Sequence, residues 1–327
     1  MKVISIKKFG GPEVLEVENV EIGKPGSKEV LIKNLSIGLN FIDTYHRTGL
    51  YPIPLPSGIG LEACGEIEEV GSDVSLFKVG DRVTHASIPI GAYAEKQIMP
   101  EDKLVSVPDG VSSEVASCIT LKGITAEYLL HRAYPLKKGD KVLYHAAAGG
   151  LGQILCPWAN AIGAEVIGTV GSKEKEEIAK KNGCHHVINY TDQNFVEEVE
   201  KIVGKNGIDV VYDGVGAKTF EGSIEVLKIR GMMVAFGNAS GYVDTINVKK
   251  HINAKGLFFT RPSIAHYTVK REELEESAKK VFEAVLAGKF KIEIAKKYTL
   301  DDARKAHEDL EGRNCKEKCL SSRNKLH

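Results

Sequence analysis

The segment Lys141–Gln153 reads KVLYHAAAGGLGQ: a short apolar run, then Ala147-Ala148-Gly149-Gly150-Leu151-Gly152, then a helix-like stretch. Gly149 and Gly152 are spaced so that backbone N–H groups at a helix N-terminus can approach a pyrophosphate with no side chain in the way. This is a variant of the dinucleotide-binding fingerprint, with Ala147 where the first glycine usually stands. Glycines at this spacing also close plain tight turns, so the neighbouring segments must decide. The second strand of such a fold normally ends in an acid that binds the adenosine 2′-hydroxyl. Here Glu165–Val170 runs into Gly171-Ser172-Lys173, with Lys175 two further on and no carboxylate at the tip itself. Hydroxyl and ammonium groups suit a 2′-phosphate, which an acid would repel, so NADPH is favoured over NADH. The alternative is that Lys173 and Lys175 pair with Glu174, Glu176 and Glu177 on a solvated helix face.

The elements around this turn divide the chain into two rhythms. Residues 1–120 read as short strands (Lys2–Lys7, Glu29–Ser36, Ala63–Val70, Arg82–Thr84, Ala92–Gln97) separated by Gly- and Pro-rich turns, which predicts a β-rich, barrel-type domain. The prolines of Tyr51–Pro56 remove backbone donors and make that stretch a surface loop. From about Thr120, strands alternate with helical patterns. Gly123–Ala133, Leu151–Ile162, Lys173–Asn182, Asn194–Val203 and Thr219–Ile229 are expected helices; Lys141–His145, Glu165–Val170, Val187–Tyr190, Val210–Asp213 and Met232–Gly237 are expected strands. Repeated βα units imply an α/β domain with a Rossmann-type doubly wound parallel sheet. Glu272–Ala287 and Asp301–Leu310 read as further helices. Pro157 sits inside the helix after the glycine turn, where it deletes a hydrogen bond at a cost of about 3 kcal/mol, so a kink or a shortened helix is expected there.

Composition narrows the function classes. The 327 residues exceed one ordinary domain, and 44 basic residues balance 44 acidic ones. No global field therefore draws the protein toward nucleic acid or anionic lipid. There is no apolar run near 18 residues and no secretion signal pattern, as expected of a soluble, unsecreted protein without membrane partners. Cys64, Cys118, Cys156, Cys184, Cys315 and Cys319 form no Cys-x-x-Cys pair, so reduced thiols in a cytoplasmic protein are expected.

Several phrases reach beyond general pattern: Gly38–Arg47 (GLNFIDTYHR), Gly60–Gly71 (GLEACGEIEEVG), Lys122-Gly123, HAAAGGLG, Tyr212–Gly216 (YDGVG), Phe236–Gly241 (FGNASG) and Thr260–Ser263 (TRPS). In this order, from Met1 to about Arg313, they resemble the zinc-free NADPH:quinone oxidoreductases, the zeta-crystallin branch of the medium-chain dehydrogenase/reductase superfamily. The resemblance implies a β-rich GroES-like N-terminal domain over residues 1–122, an NADPH-binding Rossmann domain over 123–262, and a segment 263–327 that returns to the first domain. Zinc-dependent members carry Cys and His where this chain has Asn40 and Leu61, which cannot supply a thiolate and an imidazole, so no metal is expected. Glu62 survives from that motif as a structural hydrogen-bonding acid.

The resemblance places Asn40, Asp43 and Tyr45 near the nicotinamide and Tyr51 in the substrate cleft between the domains. Asn40 can donate and accept without changing charge, which suits orientation rather than proton transfer. Lys122 and Tyr128 match cofactor-contacting positions. Gly149, Gly150 and Leu151 would meet the pyrophosphate, and Ser172, Lys175 and Tyr190 the 2′-phosphate. Phe236, Gly237, Ser240, Phe259 and Arg261 would flank the nicotinamide half, with Arg313 closing over the phosphate side. For Tyr45, Tyr51 and Tyr128 plain packing is the alternative. The polar end Glu317–His327 departs from the apolar final strand of the relatives, which puts that strand in question.

The function this implies is NADPH-dependent reduction of quinones or other conjugated carbonyls by a cytoplasmic homodimer. Two alternatives stand beside it: an NADPH-dependent enone or enoyl (alkene) reductase, and a crystallin-like NADPH-binding or RNA-binding protein with little turnover. Zero net charge and the lack of a basic, aromatic-interleaved face make nucleic acid the weaker partner.

Overall fold

A computed structural model describes residues 1–312 and 317–321. The chain divides into two compact units, one of Met1–Leu121, Thr268–Leu286 and the segment from Ile292 on, the other of Lys122–Tyr267 with Ala287–Lys291.

The first unit opens with strands β1 (Lys2–Ile6), β2 (Glu16–Asn19) and β3 (Glu29–Gly38), followed by helix α1 (Phe41–Thr48). Then come β4 (Ser57–Gly58), β5 (Glu62–Val70), β6 (Arg82–Ala86), β7 (Lys96–Pro100) and β8 (Val105–Ser106), and α2 (Ser113–Tyr128) closes the stretch. β1 pairs with β2 and β4 in a small antiparallel sheet. β3 pairs antiparallel with both β5 and β7, and the ladder continues through β6 to β8. Val30, Ile32, Ile67, Val83, Met99 and Leu104 form one core between these strands. The strand expected at Ala92–Gln97 lies further on, at Lys96–Pro100. Ala92 and Tyr93 instead hydrogen-bond back to Gly60 and Ile59, which buries both side chains in a second core with Ile4, Ile6, Ile37 and Leu39.

The second unit is a parallel sheet alternating with helices: β9 (Lys141–His145), α3 (Gly152–Ile162), β10 (Glu165–Val170), α4 (Lys173–Lys181), β11 (His186–Asn189), α5 (Phe195–Val203), β12 (Ile208–Asp213), α6 (Phe220–Val226), β13 (Leu227–Ala235) and β14 (Phe258–Thr260). The strand order β11-β10-β9-β12-β13-β14 is the doubly wound 3-2-1-4-5-6 arrangement, with every pair parallel. All six residues of β12 are buried, as befits a central parallel strand covered on both faces. The helix expected over Thr219–Ile229 stops at Val226, because Leu227 turns extended and enters the sheet opposite Ile208. Helix α3 runs through Pro157 to Ile162 without being shortened, its face of Ile154, Leu155, Cys156, Trp158 and Ala159 buried, and Gly163 ends it in the left-handed conformation.

The chain then adds α7 (Ile264–Tyr267), α8 (Arg271–Leu286), β15 (Ile294–Thr299), α9 (Ala303–Glu311) and β16 (Glu317–Ser321). A final strand therefore forms despite its polar composition. β16 lies between β15, which it meets in parallel, and β3, which it meets antiparallel, so backbone groups supply the ladder, and Leu320 is buried in the core with Tyr298 and Leu300. Arg313 lies outside the described residues. Leu320→Ala is expected to lower the unfolding free energy by about 2–5 kcal/mol, as truncation of a buried leucine does. Denaturant titration checks this, and a loss below about 1 kcal/mol would show that β16 contributes no core packing.

Candidate active site

The first cluster of site residues is built by the turn from β3 into α1. Asn40 has extended backbone geometry at the N-cap, and Asp43, three residues on, accepts the Asn40 backbone N–H at Oδ2 (2.9 Å). This bond also sets a carboxylate at the positive end of the helix dipole. The Asn40 side-chain amide donates to Glu62 Oε2 at 2.7 Å, and Glu62 Oε1 accepts the backbone N–H of Leu121 at 2.7 Å. Glu62, fully buried, thus fixes the Asn40 side chain. Among the described residues no group of three or more His, Cys, Asp and Glu is arranged to hold a metal ion.

Behind Asp43 runs a chain of buried polar groups that sequence reading did not identify. The Tyr93 hydroxyl donates to Asp43 Oδ2 (2.9 Å) and lies 3.1 Å from His307 Nε2, while Arg47 Nη1 lies 2.8 Å from His307 Nδ1. Arg47 forks onto Glu311 at 2.7 and 3.1 Å and donates from Nε to the Gly10 carbonyl. Arg47, Tyr93 and His307 are each no more than 1% exposed. The Asn40–Asp43 spacing is an N-cap signal that could have located α1, but nothing local foretells partners 260 residues away.

Tyr45 and Tyr51 come together on the far side of α1. Their rings meet edge to face at 5.2 Å, Tyr45 meets Phe41 at 6.1 Å, and the Tyr51 N–H donates to the Tyr45 carbonyl. With Phe41 40% exposed, they form an aromatic surface of the kind that receives a flat conjugated ring.

The second cluster is the glycine turn. Ala146 takes a positive φ of 62°, Gly149 N–H donates back to its carbonyl, and α3 begins at Gly152. A Cβ on Gly152 would lie 2.3 Å from the Ala147 carbonyl oxygen, so only glycine lets the helix start against the strand. The backbone N–H groups of Gly150, Leu151 and Gly152, where the turn enters α3, fit a pyrophosphate. Ala147, at the usual first-glycine position, packs its methyl toward Gly168 of β10, where an added Cβ would come within 2.6 Å of it.

Ser172 is the N-cap of α4, Lys175 lies in its first turn, and the Tyr190 hydroxyl comes against Gly171, so these three share the tip of β10. Glu174 shares it too: its own backbone N–H and the Ser172 hydroxyl hold its carboxyl below the usual range. Phe236, Gly237 and Ser240 share one loop. Phe236 N–H donates to the Asp213 carbonyl, Ser240 Oγ donates to the Val215 carbonyl, and the Phe236 ring lies parallel to Tyr144 at 6.3 Å. That loop rests on Asp213, whose buried carboxylate accepts from Val215 N, Gly216 N, Thr219 Oγ1 and Ser223 Oγ. Other residues lie apart. Phe259 packs against Phe220 in the core of the second unit, and Arg261 donates to the Pro262 carbonyl. Lys122 lies in the half-buried stretch of α2, and Tyr128 is buried and stacked on Tyr267 at 4.5 Å.

Residues 26–109 match the family described as alcohol dehydrogenase GroES-like domain, and residues 150–284 the family described as zinc-binding dehydrogenase. Quinone oxidoreductase 1 of Escherichia coli (strain K12) is 46% identical over 314 residues, 95% of this chain and 96% of the relative. A 2-haloacrylate reductase of a Burkholderia species is 46% identical over 316 residues, 94% of this chain and 95% of the relative. Among solved structures, Escherichia coli quinone oxidoreductase complexed with NADPH superimposes with a TM-score of 0.95 at 44% identity, across 98% of this chain and 100% of that one. A 2-haloacrylate reductase gives 0.90 at 43% identity. No helix among the described residues is long and apolar enough to cross a membrane.

Burial also sets the charge of the histidines in the first unit. It pushes His85 down to about 4 and, with the Arg47 guanidinium adding to it, His307 down to about 3. His46 is lowered by burial as well. Each is neutral when folded but binds a proton near pH 6.5 once unfolded, so the unfolded chain gains protons first as pH falls. Stability is then full above about pH 6.5 and declines below it, by about 1.4 kcal/mol per pH unit for each fully buried imidazole. The thermal midpoint is expected to drop between pH 6.5 and 4, and His85→Leu, which takes up no proton, to flatten that decline. Calorimetry across this range checks it; an equally steep decline in the variant would remove His85 as a cause.

Proposed function

Since the chain belongs to the quinone oxidoreductase family of the medium-chain dehydrogenases/reductases, we propose that it oxidises NADPH to reduce quinones or related conjugated carbonyl compounds without a metal. The observation that carries this reading is near full-length likeness, at 44–46% identity, to quinone oxidoreductases, one of them solved with NADPH.

NADPH, when bound, supplies the hydride; the protein's part is binding and orientation. In this proposal the turn at Gly149, Gly150 and Leu151, just before α3, meets the pyrophosphate, with Gly149 leaving room and Gly150 and Leu151 offering N–H groups. Lys175, with the hydroxyls of Ser172 and Tyr190, receives the 2′-phosphate, for which Ser172 exchanges its contact with Glu174. Phe236, Gly237, Ser240, Phe259 and Arg261 serve the nicotinamide half, and Lys122 and Tyr128 contact the cofactor. In the first unit, Asn40 presents a neutral amide whose orientation Glu62 sets, suited to aligning an acceptor carbonyl rather than moving a proton. Asp43 secures the Asn40 backbone, and Tyr45 and Tyr51 offer aromatic walls to a flat ring. Asn40 and Leu61 also deny zinc the ligands that the Cys- and His-bearing relatives provide. Likeness to a 2-haloacrylate reductase supports a second reading, reduction of an activated alkene with the same cofactor.

We further propose a cytoplasmic location, which the buried thiols of Cys64, Cys118, Cys156 and Cys184, none of them in a disulfide, suit. A homodimer formed through β14 is also proposed. This short strand ends the parallel sheet with unpaired backbone groups, and its Phe258 is 56% exposed.

NADPH oxidation is expected with a panel of quinones and to exceed NADH oxidation. Lys175→Ala is expected to raise the KM for NADPH about tenfold while leaving that for NADH unchanged, because a charge-assisted contact is lost. Turnover of enones or enoyl thioesters but of no quinone would move the assignment to an alkene reductase. Tight NADPH binding without any turnover would make it a binding protein. Sedimentation is expected to show twice the 35.6 kDa chain mass, and a 35.6 kDa species alone would reject the dimer.

A further inference from the structure

We propose that Arg47, Tyr93 and His307 are positioning residues for the reduction, a one-way hydrogen-bond chain that holds Asp43, and through it the Asn40 end of α1, in the geometry the acceptor requires. This rests on the reading that Asn40 and Asp43 face the reacting groups.

Direction follows from the chemistry of the partners. A guanidinium has donors only, so the His307 Nδ1 that lies 2.8 Å from Arg47 must present its lone pair. His307 is neutral at ordinary pH, so its single proton is on Nε2, facing the Tyr93 oxygen at 3.1 Å. Burial and the adjacent Asp43 carboxylate keep the Tyr93 phenol well above its usual range, so its O–H remains to donate to Asp43 Oδ2. Each bond in the series therefore points the same way, from Arg47 to the carboxylate that accepts the Asn40 N–H.

The same direction excludes a proton path. A guanidinium does not give up its proton to a neighbour, so His307 is not resupplied from the solvent side. What the chain can do is define position. Helix α1 has only eight residues and is too short to hold its own geometry. Its buried side chains are Asp43, Thr44, His46 and Arg47 rather than an apolar stripe. Apolar packing would hold a helix against the core at least as well as buried ions do. A polar chain adds a particular orientation of the Asp43 carboxylate, and so of the Asn40 N-cap. It also ties α1 to α9, 260 residues later in the chain.

The test is steady-state reduction of 1,4-benzoquinone by NADPH in the full-length protein, with kcat and both KM values measured for His307→Leu, His307→Gln, Tyr93→Phe and Asn40→Ala. His307→Leu and Tyr93→Phe are expected to lower kcat about tenfold or more while the KM for NADPH stays within about twofold, the pattern of displaced geometry rather than lost cofactor binding. Glutamine at 307 can accept from Arg47 and donate to Tyr93, so His307→Gln is expected to keep kcat within about twofold of the starting protein. Unchanged kcat in folded His307→Leu, or a loss in His307→Gln as large as in His307→Leu, would overturn the proposal. If His307→Leu does not fold, Tyr93→Phe, which deletes a single hydroxyl, decides on the same criterion. Asn40→Ala separates the two levels. Unchanged turnover there overturns the underlying reading and the proposal with it, whereas a loss there alongside unaffected His307→Leu and Tyr93→Phe overturns the positioning role alone.

Discussion

A buried carboxylate must have its lone pairs occupied, and that requirement at Asp43 organises the first unit. One oxygen draws in the Asn40 N–H and the Tyr93 hydroxyl together. The first contact starts α1 at Phe41, and the second brings in the segment that returns to Ile59 and Gly60. Tyr93 brings His307 with it, and Arg47 brings Glu311. Elements from the two ends of the chain are thereby joined around one charge. Asn40 is drawn the other way by a second buried acid, Glu62, which also anchors the Leu121 backbone.

The second unit follows the same rule with a different acid. Asp213 stands at the end of β12 and accepts from four donors, three in the loop that follows and one, Ser223, in α6. Through Ser223 this network reaches His145, whose other nitrogen meets Thr169 of β10. The hydroxyls of Ser223 and Thr169 therefore clamp the last residue of β9 immediately before the glycine turn. Each unit places an ionised or polar group where apolar packing would have been simpler, next to the loops that serve the proposed chemistry.

How much of this is legible in sequence depends on whether the stabilising groups are local. Lys141–His145 and Glu165–Val170 have the bounds read from the sequence, because parallel strands buried on both faces are uninterrupted apolar runs. The glycine turn is legible for a related reason, since its geometry is set by a few adjacent residues. Helix α1 was missed, because its buried side chains are polar and hydrophobic periodicity cannot register them. Only the Asn40–Asp43 spacing marked its start. β16 was doubted on composition, yet a strand between two partners draws its ladder from the backbone, and Leu320 supplies a buried apolar anchor. The pairing of Arg47 with His307 had no local signature at all.

The contact between Ala147 and Gly168 shows why the fingerprint departs from its usual form without losing its shape. The turn and the strand beside it have room for a single methyl group at that point, and the chain carries it at 147 rather than at 168. A methyl group on 168 would meet not only the Ala147 methyl but also the Cys184 sulfur, at 2.7 Å, so a glycine at 147 alone would not make room for it. Methyl groups at both positions would push β10 away from the turn. The alanine at 147 is thus accommodated because 168 carries no side chain: the glycine missing from the turn is matched by one on the neighbouring strand, held bare from two directions.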